Sequence, residues 1–249
     1  MRFRIFQRGG PGPADSPPAA PDAPGAWACL VCGGARAEAG VGPAPCALCG
    51  RTAGLAERCR SGHAVCAACL AGPTGEVVER ACAATGERDP VAIAERITRH
   101  PVLRLLPDDH DLLVPAALAA AWSNVRGEGD LRAARVREVA VRMARGSAAP
   151  RRDGEGAASG AGVFVSLAVV WTGRPDPALA DRAAARAATL IGRGDDALCS
   201  RRNALVAILA TARLAREQLG VDLPARGLAC ERAGKNPTCI GAACPFNRT

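Results

Sequence analysis

Cys29-Leu30-Val31-Cys32, Cys46-Ala47-Leu48-Cys49 and Cys66-Ala67-Ala68-Cys69, with Cys59 and His63 standing between the last two, decide how the front of this chain folds. A Cys-x2-Cys turn points two thiolates at one ion while backbone N–H groups support the sulfurs, and tetrahedral zinc takes two such pairs. Counting donors gives Cys29, Cys32, Cys46, Cys49, Cys59, His63, Cys66 and Cys69, enough for two closed zinc sites with no position left for substrate. Such sites are structural. The segment has few large side chains, and zinc would supply on the order of 10 kcal/mol to hold it. The pairing stays open. Sequential sites would join Cys29, Cys32, Cys46 and Cys49, then Cys59 or His63 with Cys66, Cys69 and Cys82; an interleaved arrangement is the alternative. Cys82 would be a ninth ligand.

Two neighbouring readings of these residues are weaker. From Cys46 to Cys69 the spacing matches the first six ligands of a RING finger, but Thr85 stands where the eighth should be. Pro45-Cys46-x2-Cys49 copies half of the zinc deaminase signature, and the ligand two residues before a catalytic glutamate is missing.

Working outward, residues 1–27 hold six prolines between Pro11 and Pro24 and read as a disordered tail. Residues 28–85 form the cysteine module, without sustained helical period, and residues 86–249 form a helical domain. Asp89-Pro90 opens a helix over Val91 to Arg99, and Pro115 a second through Val125. Leu131, Val136, Val139, Ala140 and Met143 support a third, ending near Gly146. The Gly/Ser-rich stretch from Gly154 to Gly162 leads into the apolar run Val163 to Trp171, whose length favours a helix although its valines would suit a buried strand. Asp176-Pro177 opens another helix with Leu179, Ala183, Ala187 and Leu190 inward. Ser200 caps the last, with Leu205, Ile208, Leu209, Ala212 and Leu219 inward. The fold class is mainly α: an N-terminal zinc-knuckle or zinc-ribbon-like module followed by an all-α domain.

A second cysteine set closes the chain. Cys199, Cys230, Cys239 and Cys244 fit no standard spacing but suit a further zinc or an iron–sulfur cluster if the last helix and the tail bring them together. His110, within Asp108-Asp109-His110-Asp111, is a candidate ligand or base, though such a residue more often pairs at a helix start.

The chain has 249 residues, 49% of them hydrophobic and only 7 aromatic. Its 12 cysteines without a secretory signal at the start point to metal ligands in a reducing, cytoplasmic setting. No apolar run reaches the roughly 18 residues of a spanning helix, which excludes a membrane partner. The net charge of +8 is nearly all arginine, since Lys235 is the sole lysine. Between Arg126 and Arg152 eight arginines face Glu128, Asp130 and Glu138, a patch that could attract phosphate. No aromatics interleave with it for base stacking.

The succession Cys59…Gly62-His63…Cys66…Cys69, Pro107-Asp108-Asp109-His110-Asp111-Leu112-Leu113-Val114-Pro115-Ala116-Ala117-Leu118 and Asn236-x2-Cys239-Ile240-Gly241-x2-Cys244-Pro245-Phe246 resembles the prokaryotic domain-of-unknown-function family 5714, over roughly Cys46 to Phe246. The resemblance implies a His-His pair at His110 and Asp111, a cysteine-bearing Gly-rich segment in mid-domain and a Cys-Cys pair before the last helix. Here Asp111 replaces the second histidine, Ser159 and alanines stand in the Gly-rich segment, and Cys199-Ser200 keeps one cysteine. The chain is therefore a divergent member with part of that His/Cys set missing.

The leading expectation is a zinc-binding protein acting as a binding or accessory module. One alternative is a metal- or thiol-dependent enzyme centred on His110, Asp111, Cys199 and the C-terminal cysteines. Another is a zinc-dependent nucleic-acid-binding regulator.

Overall fold

The computed structural model describes residues 29–32, 34–37, 42–48, 50–56, 58–98, 111–146, 155–192, 199–227, 230 and 239–247. The tail at 1–27, Cys49, His100, His110 and the arginines at 151 and 152 lie outside the described residues. Strands β1 (Gly42–Pro45) and β2 (Thr52–Ala56) pair as an antiparallel hairpin inside the cysteine region, with an irregularity between Gly42 and Ala44. Helices follow: α1 (Ala67–Leu70), α2 (Thr74–Ala84), α3 (Pro90–Thr98), α4 (Leu113–Val125), α5 (Arg132–Gly146), α6 (Glu155–Trp171), α7 (Pro177–Ile191) and α8 (Ser200–Leu214). A π-helical turn, Ala215–Leu219, continues α8 until Gly220 stops it at φ 68°. The protein is mainly α, as the sequence predicts.

The helix starts follow local chemistry. Asp89 Oδ1 accepts from the Val91 and Ala92 N–H groups ahead of α3. Asp176 accepts from Leu179 N–H, with Pro177 in the first helical position, where its missing N–H costs nothing. Two starts differ from expectation. Helix α4 begins at Leu113, so Pro115 sits within its first turn rather than opening it. The N-cap of α8 is Cys199, with Ser200 already helical.

Helix α4 is buried on every side, and alanines let its neighbours approach closely. Trp122 fills the middle, edge-on to Phe164 at 5.9 Å and beside Trp171 at 6.4 Å, which joins α4 to α6. Helix α6 packs most extensively on α7, and α8 closes the bundle. On α7 the inward position is Ile191, whereas Leu190 is 51% exposed. Ile191 keeps the four-residue spacing of the buried Leu179, Ala183 and Ala187, while Leu190, in the last turn of α7, is left in solvent.

Two segments of the sequence read differently once packed. Val77, Val78, Ala81 and Cys82 form a buried stripe on α2, and the last three belong to the main helical core. The cysteine region thus ends in a helix shared with the body. From Glu155 the Gly/Ser-rich stretch forms the first turns of α6, and the run after it is helix rather than strand. Its glycines are spaces. A Cβ at Gly156 would fall 1.5 Å from Asp111 Oδ1, and one at Gly160 would lie 2.8 Å from Pro115 Cδ and 2.9 Å from the Asp111 carbonyl oxygen.

Gly160 faces a ring and a backbone atom, neither of which yields easily. Gly160→Ala is expected to destabilise the protein by about 1–3 kcal/mol from overpacking, despite the roughly 1 kcal/mol that alanine gains over glycine in a helix. Gly86→Ala, where nothing lies within 4 Å, should be neutral in the same urea titration. Equal midpoints for the two variants would contradict the close approach of α6 to α4.

Candidate metal centre

Cys29, Cys32, Cys59 and His63 bring one donor atom each within 4.8 Å of one another, and so do Cys46, Cys66 and Cys69. The sets interleave along the chain. Both Cys59 and His63 reach back across the β1–β2 hairpin to the first knuckle, while Cys66 and Cys69 return to Cys46. Cys59 pairs with Arg36 across an isolated bridge and Cys46 with Ala64, so backbone pairing crosses the two sets over each other. Gly62, at φ 82°, turns the chain between Cys59 and His63, and Cys59 N–H donates to His63 O at 2.9 Å.

The spacings within each set have the size of a coordination tetrahedron. A metal–sulfur distance of about 2.3 Å makes tetrahedral sulfur–sulfur edges of about 3.8 Å. Cys32 Sγ lies 3.7 Å from Cys59 Sγ, Cys46 Sγ lies 3.8 Å from Cys69 Sγ, and Cys59 Sγ lies 3.4 Å from His63 Nδ1. Backbone N–H groups support the sulfurs as knuckles require: Val31 N–H to Cys29, Gly34 N–H to Cys32 and Cys66 N–H to Cys46, each at 3.4 Å. Burial pushes the Cys29 thiol up to about 11. Burial acts the same way on Cys32, but the Gly34 N–H and the His63, Cys59 and Cys29 side chains outweigh it and hold that thiol at about 6. The four donors of the first set can hold a metal ion. None of the described cysteines forms a disulfide.

Cys82 stands in neither set. It is fully buried in the helical core, where desolvation drives its thiol far above the usual range. The RING comparison gains a physical reading from this. The pair expected after Cys69, at Cys82 and Thr85, does not complete the Cys59–His63 half, and the pair before Cys46 does.

The sequence reading missed the residues that tie these sets to the body. Arg80 on α2 donates to Cys69 Sγ at 3.3 Å, a charged partner for a thiolate. Arg96 on α3 donates to Val31 O, in the middle of the first knuckle, and Thr85 Oγ1 donates to the same carbonyl at 3.4 Å. The signal for Arg80 was its place one turn after Glu76, with which it pairs. Nothing local marks Arg96, whose partner is 65 residues away.

Of the candidate catalytic residues, Asp111 packs its carboxylate against Gly156, and Cys199 lies at the N-terminus of α8 with the C-terminal cysteines as neighbours. Four arginines of the patch are engaged. Arg126 and Arg135 pair with Glu128 and lie over Trp122 and Trp171, Arg132 bonds Ala83 O and Asn124, and Arg137 pairs with Glu79. No helix among the described residues is long and apolar enough to cross a membrane.

A helical body carrying cysteine clusters that can hold metal is thus the class of protein defined by fold and site. Over residues 78–247 the chain matches the family of unknown function DUF5714, and it belongs to that family. The match takes in α2 from Val78 onward and all later helices, together with the C-terminal cysteines. It begins at Val78 rather than near Cys46, so both candidate metal sets lie ahead of it. No curated protein matches the chain. No solved structure matches it.

Proposed function

We propose that residues 28–85 form a module folded around two zinc ions, one held by Cys29, Cys32, Cys59 and His63 and the other by Cys46, Cys49, Cys66 and Cys69. The module is mounted on the helical domain at 86–249 through the shared α2, and the protein serves as a binding or accessory module in the reducing cytoplasm. The observation that carries this reading is the interleaving of two donor sets at tetrahedral spacing. The first set already has four protein donors. A closed tetrahedron has no position for water or substrate, so its ion is structural and not a Lewis acid. Zinc fits the mixed sulfur and imidazole donors better than the oxygen-seeking magnesium or calcium.

Elemental analysis of the full chain, purified without oxygen, tests the reading. At least two zinc ions per chain are expected, and the Cys29→Ser/Cys32→Ser variant should lose at least one. A metal-free wild-type chain, or an unchanged count in the variant, would reject it.

A further inference from the structure

Cys199, Cys230, Cys239 and Cys244 are far apart in sequence and close in the fold. Cys199 caps the N-terminus of α8. Cys230 donates its N–H to Phe246 O at 2.6 Å, which lays it alongside the segment carrying Cys244. Cys239 and Cys244 flank the short 3-10 turn Gly241–Ala243. Gly241 N–H points at Cys239 Sγ at 3.4 Å, two residues on, the same support given to Cys29 and Cys32 in the N-terminal knuckle. Burial is the largest cause of the raised pKa of Cys199; the Arg202 N–H opposes it, and Cys244, Cys230 and Cys239 each add to it. Arg202, three residues after Cys199 in the first turn of α8, lines one cleft with Pro245 and Phe246, so the start of α8 and the segment after Cys244 lie side by side.

Cys82 is the internal comparison. As a small apolar residue in the core it is wholly buried and no sulfur neighbours it in either N-terminal set, the ordinary place of an unliganded cysteine. The C-terminal set behaves otherwise: Cys199, Cys230 and Cys239 are only half-buried, and the segments that carry them adjoin that of Cys244. The gathering is looser than at the N-terminus, since no three of these sulfurs lie within 4.8 Å of one another. An arginine-bearing cleft of about 400 Å³ opens beside it, with Arg202, Pro245 and Phe246 in its wall.

We propose that Cys199, Cys230, Cys239 and Cys244 form a tetrathiolate site for a thiophilic metal, separate from the N-terminal module. This goes beyond the reading above and does not depend on it. The start of α8 presents Cys199, the Gly241 turn orients Cys239, and the Cys230–Phe246 pairing brings in the other two. Four thiolates suit a single zinc ion or an iron–sulfur cluster alike.

The test is metal, iron and acid-labile sulfide per full-length chain, purified without oxygen, in the wild type and in Cys239→Ser. Cys239 is half-buried and outside the main core, so its replacement leaves the bundle packed. Loss of one zinc equivalent identifies a zinc site. Loss of iron with sulfide and of visible absorbance identifies a cluster. An unchanged metal content overturns the proposal. A second measurement covers a variant that does not accumulate: alkylation of the native wild type with and without a chelator, read by peptide mass. Cys199, Cys230, Cys239 and Cys244 should be protected together and become reactive together. Full reactivity before chelation overturns the site. Peptides carrying Cys29 to Cys69 report the N-terminal module separately, so either site can fail alone.

Discussion

Replacing Cys66 by serine should release the second ion and unfold the chain from Cys29 to about Cys69, while the helical signal of the protein barely changes. The size of the effect follows from what else holds that segment. Its apolar clusters are three small groups: Cys29, Val31 and Cys59; Ala44 and Ala64; Cys46, Cys66 and Cys69. Most of these core residues are the candidate metal donors themselves. Without metal, residues with so little area to bury cannot offset an ordering cost of about 1–2 kcal/mol each. Bound zinc contributes on the order of 10 kcal/mol in such modules, which decides the balance. Hydrogen exchange checks this. In Cys66→Ser the amides of Cys46, Cys59 and Cys69, bonded at 2.9 Å to Arg51, His63 and Cys66 in the wild type, should exchange within the dead time. Those of α4 and α6 should keep their protection. Unchanged protection and unchanged zinc in the variant would remove the metal from the account of this fold.

The consequences stop short of the body for a physical reason. The module meets the helices through a few directed bonds: Arg80 to Cys69 Sγ, and Arg96 with Thr85 to the Val31 carbonyl. Losing the knuckle leaves Arg96 with Thr85 Oγ1 and Glu87 as partners, and Asn124 still holds the 85–87 backbone through Thr85 O and Glu87 O. The clamp can let go of the module without opening the core.

How legible this was in the sequence varied with the range of the forces involved. The candidate donors were readable because the Cys-x2-Cys spacing of a metal knuckle is local. Their pairing was not. Closing loops of similar length costs similar entropy in the sequential and the interleaved arrangement, and the choice falls to the hairpin and the bridges at Cys46 and Cys59. Helix α2 was missed because its start carries no capping side chain, and its apolar stripe, Val77, Val78, Ala81 and Cys82, includes a cysteine that reads first as a ligand. The glycines of α6 have low intrinsic helix propensity, and packing overrides it, since only glycine admits Asp111 and Pro115 so closely. The caps at Asp89 and Asp176 were local and readable. The His110 side of the candidate site lies outside the described residues; Asp111 packs against Gly156 of α6, and Cys199 stands at the start of α8.

The pair Glu95–Arg201 was invisible for the opposite reason, and its removal should be the most damaging single change in the helical body. The two side chains, 5% and 4% exposed, form an ion pair across 106 residues, joining α3 to the first turn of α8. A positive charge in the first turn of a helix is unfavourable by itself, and here it is also out of water. Glu95→Ala leaves that guanidinium buried and unpaired, at an expected cost of about 3–5 kcal/mol. The pair need not be a net source of stability, because two charges had to be desolvated to make it. Glu95→Leu/Arg201→Met should therefore recover most of the loss, and the three urea midpoints settle it: wild type highest or level with the double variant, Glu95→Ala far below both. A mild Glu95→Ala, within about 1 kcal/mol of wild type, would mean that Arg201 finds water or another acceptor at that position. Arg201 stands two residues after Cys199, so the severe variant should also loosen the end of α8 where the proposed C-terminal metal site begins, and metal bound at that site should exchange faster than in the double variant.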